Sequence, residues 1–374
     1  MLIFLFISVF IIGLYAFVLV VLLLSVQRSK LVNTSEWSTK VSVLIAARNE
    51  EKYIERCLRS VLSQRYPSHL LEVIVIDDCS EDATSQLAQR VLQTSSIAHQ
   101  VLSLNETGKT GKKAALEYGI SKASGELIIC TDADSFALNQ NWVSAYINTY
   151  IAKGAKLIAG PVLYTKTKGF LVAFQQIELL ILNLVSAGTF KLKKPVMCNG
   201  ANMAFARKVF IEVGGYEGNL HLASGDDVFL LNKVSAKYPD ALTYLFSKES
   251  LVYTAPADNI NTFIQQRIRW AGKFKHNSNF FNAFIGLVSF AANVWLVLLI
   301  ALSLFFPQWS NYFILLLAGK CLIDFLLLFL GTIFFRQKQV LIWFPLATII
   351  YPFYVCLAVV AGVFIRTQWK GRKI

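Results

Sequence analysis

The sequence predicts an α/β domain, built on an open and largely parallel sheet, with apolar membrane segments on both sides of it. Two observations predict the domain: apolar strands alternate with amphipathic helices between residues 41 and 134, and aspartates close two of those strands. A third observation predicts the membrane segments. Of the 374 residues 55% are hydrophobic and only 16% are charged, and the apolar excess is concentrated at the two ends.

The first apolar segment is an unbroken run over residues 2–25. A helix needs roughly 20 residues to cross a bilayer core of about 30 Å, so this run is long enough. A cleaved signal peptide is the alternative, but its apolar core is usually about 7–15 residues long and follows a basic residue. We therefore expect a permanent anchor over residues 1–26.

Four apolar stretches in the next part of the chain are predicted to be strands: 41–47, 71–78, 99–104 and 126–134. Asn49 and Ser80 are suitable N-caps for the helices that follow the first two strands. Ligands of such sheets bind at the carboxyl ends of strands. The site is therefore expected where the second and the fourth stretch end.

Three apolar runs predict a C-terminal membrane region over residues 280–366. The runs 283–306 and 311–335 predict a helical hairpin through the membrane. Lys320 and Asp324 lie one helical turn apart inside the second run, where pairing would lower the cost of placing their charges in lipid. A structural role is expected for this pair more than a role in transport.

The third run, over residues 340–365, contains Pro345 and Pro352, which predict a break. A full crossing would also place the basic tail, residues 367–374, outside the cell, against the positive-inside rule. A bent or re-entrant segment keeps that tail in the cytoplasm and is the interpretation we favour over a full span.

One more apolar run, over residues 170–190, is nearly long enough to cross a membrane. A crossing there would place Asp134 and Asp227, which are both candidate site residues, on opposite sides of the membrane, so that they could not share a site. The glutamines and the glutamate within the run also favour a helix that lies on the domain or in the membrane interface. We therefore expect one cytoplasmic domain over residues 40–275.

The formal net charge of +13 does not indicate nucleic acid as a partner, because the basic residues are scattered and no zinc knuckle or basic–aromatic array accompanies them. Several flank the apolar runs, as expected for charges at the cytoplasmic face near anionic lipid. The six cysteines form no CxxC pair, which is typical of reduced residues and not of a disulfide framework or a zinc site.

Asp132 and Asp134 lie two residues apart at a predicted strand end, where the period of two turns both side chains to one face. Mg²⁺ and Mn²⁺ prefer oxygen ligands and share them with phosphates, so one or two carboxylates suffice. Such a cation would stabilise the charge on a departing nucleotide diphosphate. Asp134 is expected to bind the metal, with Asp132 beside it and nearer the nucleotide.

Four further aspartates are candidates for other roles. Asp227 is expected to take the proton from an attacking hydroxyl, with Asp226 as the alternative, although either could instead cap the helix that follows. Asp77 and Asp78 can accept hydrogen bonds from a base or a ribose, and capping of the next helix is the competing role.

The string QRIRW at residues 266–270 places Gln266, Arg269 and Trp270 within about one helical turn, so that they can line one side of a pocket. Arg269 can bind a diphosphate through a forked pair of hydrogen bonds, and Trp270 offers a flat apolar face to a sugar ring. An amphipathic helix at the membrane surface, anchored by arginine and tryptophan, is a compatible interpretation.

Together these strings resemble the family-2 glycosyltransferases with the GT-A fold, a Rossmann-like and mostly parallel α/β architecture, over roughly residues 40–275. The resemblance implies that Ala46, Arg48 and Glu50 contact the nucleotide and that Lys112 belongs to the family's lysine helix. The motifs that carry it are AARNEE (46–51), VIDDCSEDAT (75–84), GKKAAL (111–116), TDAD (131–134), NGANMAF (199–205), GDD (225–227) and QRIRW (266–270). Asp226 stands where the family often has glutamate.

The resemblance implies an inverting transfer from a nucleotide-diphosphate sugar, with UDP favoured, to a lipid or glycan acceptor. It also implies an integral protein of the cell (inner) membrane with a cytoplasmic catalytic domain, active in cell-envelope glycan or glycolipid synthesis. The small number of spans favours a lipid or lipid-linked acceptor. A processive polysaccharide synthase subunit is the alternative, followed by a non-catalytic sensor of nucleotide sugars.

Overall fold

A seven-stranded sheet forms the centre of the computed structural model, which describes residues 2–30, 37–165, 168–220, 225–272, 280–365, 368–369 and 372–373. The strands are β1 (Val41–Ala47), β2 (Leu71–Asp77), β3 (Ala98–Ser103), β4 (Leu127–Asp132), β5 (Phe136–Ala137), β6 (Leu157–Ala159), β7 (Val162–Tyr164), β8 (Met203–Ala206), β9 (Leu242–Tyr244), β10 (Val252–Thr254), β11 (Gln368–Trp369) and β12 (Arg372–Lys373).

Helices cover both faces of this sheet and form the two ends of the chain. The α-helices are α1 (Leu2–Ser25), α2 (Ile54–Leu62), α3 (Thr84–Leu92), α4 (Lys112–Lys122), α5 (Trp142–Lys153), α6 (Phe170–Lys191), α7 (Arg207–Glu212), α8 (Asp226–Lys237), α9 (Ile260–Gly272), α10 (Phe280–Phe305), α11 (Ser310–Phe335) and α12 (Phe344–Phe364).

The strand order of the large sheet is β3-β2-β1-β4-β8-β6-β9. All neighbouring pairs are parallel except the two that β8 makes, so the predicted open and largely parallel sheet is confirmed. A smaller sheet, β5-β10-β7, lies beside it, and β11 pairs with β12 in the tail. Of the predicted basic tail, residues 367, 370, 371 and 374 lie outside the described residues.

The register of the central strands brings their carboxyl ends to one level. Ala46 pairs with Ile76 of β2 on one side and with Asp132 of β4 on the other. The loops that follow β1, β2 and β4 therefore begin side by side, as expected for ligand-binding loops of an open α/β sheet.

Alternate residues of the central strands face two different cores, as the period of two requires. Val43 and Ile45 pack in the core formed with α2, α3 and α5. Leu44 points to the opposite face, where the core includes α4 and continues into the terminal apolar helices. The sheet is thus joined to the helices of the predicted membrane region by one uninterrupted hydrophobic core.

The predicted N-caps are wrong. The residues at the N-caps of α2 and α3 are Tyr53 and Ala83. Asn49 has a positive φ of 52°, and its side chain accepts a hydrogen bond from the Glu81 amide at 2.9 Å. The Ser80 hydroxyl accepts one from the Asn49 amide at 3.0 Å. Both residues therefore join the two loops at the site and do not begin helices.

Helix α6 carries polar side chains that bond to the domain. Asn183 donates to the Val162 carbonyl at 2.8 Å, Gln176 accepts from the Tyr164 amide at 2.9 Å, and Gln175 exchanges two hydrogen bonds with Ala257. Among the described residues five helices are long and apolar enough to cross a membrane, and α6 is one of them. The most apolar stretch of α6 is 67% buried, whereas the corresponding stretches of α1, α10, α11 and the segment Lys338–Gly362 are 28% buried or less. That α6 does not cross stays a prediction, which these contacts favour.

The terminal helices pack against α6 and against one another. At Gly188 of α6 a side chain would lie 2.4 Å from the Leu22 carbonyl oxygen of α1, so glycine permits this close crossing. The Trp295 indole of α10 donates to the Ser8 hydroxyl of α1 at 2.9 Å. The division into an anchor (1–26), a domain (40–275) and a membrane region (280–366) stays a prediction, to which these helix bounds conform.

The break predicted in the third C-terminal run is absent from the described helix. Helix α12 continues from Phe344 to Phe364 with Pro352 inside it, and Pro345 lies in its first turn, where a missing N–H leaves no bond unmade. The predicted break is absent at Pro352, whereas at Pro345 the run changes from the 3₁₀ segment Lys338–Trp343 to α12, and the re-entrant path stays a prediction.

A buried ion pair links three of these helices. Lys320 donates to the Asp324 carboxylate at 2.6 Å within α11, and the Tyr15 hydroxyl of α1 donates to the other carboxylate oxygen at 2.6 Å. The Lys320 ammonium also lies 5.5 Å from the centre of the Tyr351 ring of α12. The predicted pairing of Lys320 with Asp324 is confirmed. The Tyr15 hydroxyl, which bonds to the same carboxylate, shows how the pair fixes α1 against α11.

We expect Asp324→Asn to destabilise the protein by roughly 3–5 kcal/mol, because it leaves the Lys320 charge buried without its partner. The double variant Lys320→Met/Asp324→Leu should be closer to the wild type, since it removes both charges. Thermal unfolding midpoints in nanodiscs of one lipid composition measure both. A double variant less stable than Asp324→Asn would contradict this account.

Candidate active site

A cavity of about 810 Å³ opens where the carboxyl ends of the strands meet the terminal helices. Its lining residues fall into two groups, a charged group and a mainly apolar group, which we call the charged wall and the apolar wall. The charged wall contains the predicted residues Ala46, Arg48, Glu50, Asp78, Lys112, Asp132, Asp134, Asp226, Asp227, Gln266, Arg269 and Trp270. The apolar wall contains side chains of α1, α6, α10 and α12, including Val18, Leu19, Ile181, Val185, Ile285, Val288, Val355 and Val359.

The loops after β1 and β2 are held together by Arg48. Its guanidinium donates to the carbonyls of Asp78 at 2.9 Å and Cys79 at 3.1 Å. The Glu50 amide donates to the Thr84 hydroxyl at 2.7 Å. These bonds fix the edge of the cavity at which nucleotide contacts were predicted.

Asp78 fixes the start of the lysine helix. Its carboxylate accepts a hydrogen bond from the Gly111 amide at 2.9 Å, and Gly111 is the N-cap of α4 with a φ of 100°, a conformation that glycine adopts readily. The next residue is Lys112, whose side chain enters the cavity. Asp78 therefore acts beyond its own loop, on the helix that presents Lys112.

Lys112 lies between two aspartates from distant parts of the chain. Its ammonium is 2.6 Å from the Asp132 carboxylate and 3.3 Å from that of Asp226. Burial alone would lower the pKa of Lys112, but Asp132, Asp226 and Asp227 outweigh it and raise that pKa, so the side chain is charged at neutral pH. One cation thus holds Asp132, which closes β4, near Asp226, which opens α8.

The two aspartates of the TDAD string differ in their partners. Asp132 closes β4 and is bonded to Lys112, whereas Asp134 lies in the turn after β4 and accepts a hydrogen bond from the Ser135 hydroxyl at 3.1 Å. Both line the cavity. In the part of the chain that the structure describes, no group of three or more His, Cys, Asp or Glu side chains could hold a metal by itself. The donor set suits a cation that takes most of its ligands from a diphosphate.

Asp226 and Asp227 lie in the first turn of α8, and the N-cap is Gly225. Neither aspartate is therefore the cap. Their carboxylates are buried near the positive end of the helix dipole, which favours negative charge there. Asp227 accepts a hydrogen bond from the Val228 amide at 2.8 Å, and Asp226 is engaged by Lys112.

The segment opposite these acids is fixed by Asn202, which sequence reasoning did not single out within NGANMAF. Its amide group donates to the carbonyls of Pro161 and Ser250, both at 2.7 Å, and its oxygen accepts from Trp142 at 3.0 Å and Tyr146 at 2.7 Å. A fully bonded and fully buried side chain of this kind holds its backbone rigidly. It places the preceding residues against Asp226.

Helix α9 places Gln266, Arg269 and Trp270 on the cavity, as predicted. Burial lowers the pKa of Arg269, and the carboxylates of Asp132 and Asp226 partly offset this. Sequence reasoning missed Arg267 of the same string, which also lines the cavity and pairs with Glu178 at 2.6 Å. An arginine on the buried face of an amphipathic helix was the available signal.

Asp77 is the one predicted site residue that is not placed on this cavity among the described residues. It is buried, and its carboxylate accepts from the Ser80 amide at 3.3 Å. This bond lies in the loop after β2 and does not cap α3, whose N-cap is Ala83, so the competing role of Asp77 as a helix cap is wrong. Its contact with a nucleotide stays a prediction.

Comparison with known proteins bears on this geometry. Residues 42–214 match the family model described as Glycosyl transferase family 2. The match covers a little under half of the chain and is to the family that the sequence motifs resemble. Glycosyltransferase AglE of Haloferax volcanii is 30% identical over 188 residues, which are 50% of this chain and 59% of that protein.

A second relative and a solved structure extend the comparison. Probable glycosyltransferase YdaM of Bacillus subtilis is 26% identical over 234 residues, 62% of this chain and 54% of that protein. The chain thus spans little more than half the length of these two curated relatives. The fold is similar to the structure of a mannosyltransferase from Pyrobaculum calidifontis in complex with GDP-Man and Mn²⁺, with a TM-score of 0.62 and 18% sequence identity. The aligned part covers 96% of this chain and 99% of the mannosyltransferase chain. This likeness shows the GT-A fold.

Gly200→Ala is expected to lower turnover of a nucleotide sugar without lowering the unfolding temperature by more than a few degrees. A Cβ at Gly200 would lie 2.9 Å from the Asp226 carboxylate and 3.3 Å from the Lys112 ammonium, so one of the two must shift. Steady-state turnover and thermal unfolding measure the two effects. Gly319→Ala in α11 is the matched control, because a Cβ there would meet nothing within 4 Å. Wild-type turnover in both variants would contradict the close approach.

Proposed function

We propose that this protein transfers a sugar, with inversion, from a nucleotide-diphosphate sugar to a lipid or lipid-linked acceptor at the cytoplasmic face of the cell membrane. The observation that carries the proposal is the cavity with two walls. Its charged wall has the groups that donor chemistry needs, and its apolar wall is built from α6 and the terminal helices.

The positively charged side chains near the strand ends support the proposal that the donor is a nucleotide-diphosphate sugar. Arg269 has the forked geometry that suits a diphosphate, and Lys112 adds a second positive charge on the same cavity. UDP is the nucleotide that the family resemblance favours. Because the similar Pyrobaculum enzyme was solved with GDP-Man, guanine nucleotides belong in the same test.

The departing diphosphate gathers negative charge, and Asp134 is the residue we assign to a divalent cation at that point. Asp132 would be its neighbour and is already bonded to Lys112 at 2.6 Å. Mg²⁺ or Mn²⁺, when bound, would stabilise the leaving charge as a Lewis acid. The oxygen ligands present, one or two carboxylates, suit either ion.

Asp227 is the residue we assign as general base. It sits on the cavity in the first turn of α8, whereas Asp226 beside it holds the Lys112 ammonium. A carboxylate that accepts the proton of the attacking hydroxyl must be within hydrogen-bond reach of it. The attack then displaces the diphosphate directly and inverts the anomeric carbon.

The acceptor side is supported by the apolar wall. A hydroxyl on a lipid headgroup can reach the carboxylates while its chains remain between α1, α6, α10 and α12, which contact one another. Trp270 lines the same cavity and is the residue we assign to contact a sugar or headgroup of the acceptor. A soluble, polar acceptor would gain no binding energy from contact with an apolar wall of this extent.

Release of the nucleoside diphosphate by purified protein in lipid nanodiscs tests the proposal. A panel of UDP- and GDP-sugars should show release with a particular donor, and Asp227→Asn should reduce it by about 10²–10⁴-fold, the range for loss of a general base. Nucleotide binding by that variant should remain. Extracted lipid carrying one added sugar identifies the acceptor.

A long glycan in place of a singly modified lipid would indicate the processive alternative. Nucleotide binding without release, for every donor and with membrane lipids added, would contradict the proposed transfer and favour a non-catalytic sensor. Full activity of Asp227→Asn would move the general base to Asp226.

Asp134→Ala should weaken nucleotide binding in the presence of Mn²⁺ or Mg²⁺ while leaving metal-free binding unchanged. Calorimetric titration with the nucleotide, with metal and with excess chelator, measures the difference. Asp240→Ala is a control, because its carboxylate pairs with Lys193 on the surface, where both side chains are well exposed. Equal metal dependence in Asp134→Ala and the wild type would refute this assignment.

A further inference from the structure

Arg267, the second residue of the QRIRW string, belongs to a buried charge pair. Arg267 donates from Nε to the Oε2 oxygen of the Glu178 carboxylate on α6 at 2.7 Å, and its Nη2 lies 2.6 Å from the same oxygen in the ion pair. The Tyr354 hydroxyl of α12 donates to the other Glu178 oxygen at 2.8 Å. The Arg267 and Glu178 side chains are only 3% and 10% exposed, so the pair is almost fully withdrawn from water.

The Arg267 guanidinium is also held between two aromatic rings of its own helix. It lies 4.5 Å from the centre of the Phe263 ring and 4.2 Å from that of Trp270. Its Nη1 donates to the side-chain oxygen of Gln266. Arg267 thus contacts Gln266 and Trp270, two of the three predicted site residues of α9.

Phe263 extends this arrangement to the membrane region. Its ring stacks on the Tyr354 ring with centroids 5.4 Å apart, and α9 crosses α12 closely, where a Cβ at Gly362 would lie 2.7 Å from that of Ala271. A change in the position of α12 would therefore reach Arg267 through both Glu178 and Phe263.

We propose that Arg267, held by Glu178, is a positioning residue that sets the orientation of Trp270 and Gln266 and couples them to helix α12. The proposal rests on the proposed function for the role of Trp270 at the acceptor side. Buried ion pairs need close geometry and additional hydrogen bonds to be tolerated. Glu178, Tyr354 and Gln266 supply these bonds, so the guanidinium has one well-defined place, and the Trp270 ring stacks upon it.

The orientation of Trp270 can be followed without any assay of transfer. Protein labelled with 5-fluorotryptophan gives fluorine resonances in nanodiscs, and the one lost in Trp270→Phe belongs to Trp270. In Arg267→Lys the charge next to Glu178 remains but the planar face is gone. We expect the Trp270 resonance to shift while the other tryptophan resonances stay in place.

Kinetics give the second readout. In Arg267→Lys the KM for the acceptor should rise at least about fivefold, while the KM for the donor stays within about twofold, because the loss concerns stacking at one side of the cavity. Tyr354→Phe removes one hydroxyl from Glu178 and should shift the same resonance by a smaller amount. General damage to the fold would instead move many resonances and both KM values.

Arg59→Lys is the matched control. Arg59 also pairs with a glutamate on a neighbouring turn, Glu55, at 2.7 Å, but this pair is exposed on α2. It should leave the Trp270 resonance and both KM values unchanged. An unmoved Trp270 resonance in folded Arg267→Lys would overturn the proposal. If that variant does not fold, an unmoved resonance in Tyr354→Phe overturns the coupling to α12.

The two proposals can fail separately. A shifted Trp270 resonance in protein whose wild type transfers no sugar would support the positioning role and contradict the proposed function. Wild-type transfer with an unmoved resonance in Arg267→Lys would support the function and contradict the positioning role.

Discussion

The Lys112 ammonium is the interaction on which the charged wall of the cavity depends. Asp132 and Asp226 come from elements more than 90 residues apart, and two carboxylates brought this near to one another would repel if no cation lay between them. A cation 2.6 Å from one and 3.3 Å from the other turns that repulsion into attraction. Lys112 is itself placed by the Asp78–Gly111 bond, so the ends of β2 and β4 and the start of α8 are tied to one charge.

Most of this wall could be predicted from the sequence, because its residues follow local rules. Strands recognised by their apolar runs end at Asp77 and Asp132, and parallel neighbours bring such ends to one edge. The helical spacing of Gln266, Arg269 and Trp270 placed them on one face of α9 in the same way. What local rules could not supply was the order of the acids around Lys112, since that depends on the register between distant segments.

The incorrect and missed predictions have a common physical cause. Asn49 and Ser80 have the right chemistry for N-caps, but a second loop lies near enough to bond with them. Pro352 should end an isolated helix, yet α12 continues through it because packing against α9 and α10 compensates. Arg267 was overlooked because its partner Glu178 is 89 positions away along the chain. In each case a tertiary contact decided the outcome, and single-segment patterns contain no information about it.

The terminal helices, which are long and apolar enough to cross a membrane, are also part of the site. The hydrophobic core on one face of the sheet runs without interruption into them, and their side chains form a wall of the cavity that holds the acids. An apolar wall lowers the local dielectric constant, which strengthens every charge interaction beside it, including the pull of cations on a diphosphate. The same wall makes an unpaired charge more costly, so Lys112 with its acids, and Arg267 with Glu178, must each be closely matched. The chemistry of the charged wall and the packing of the terminal helices therefore constrain each other. A substitution that alters one of them is expected to alter the other.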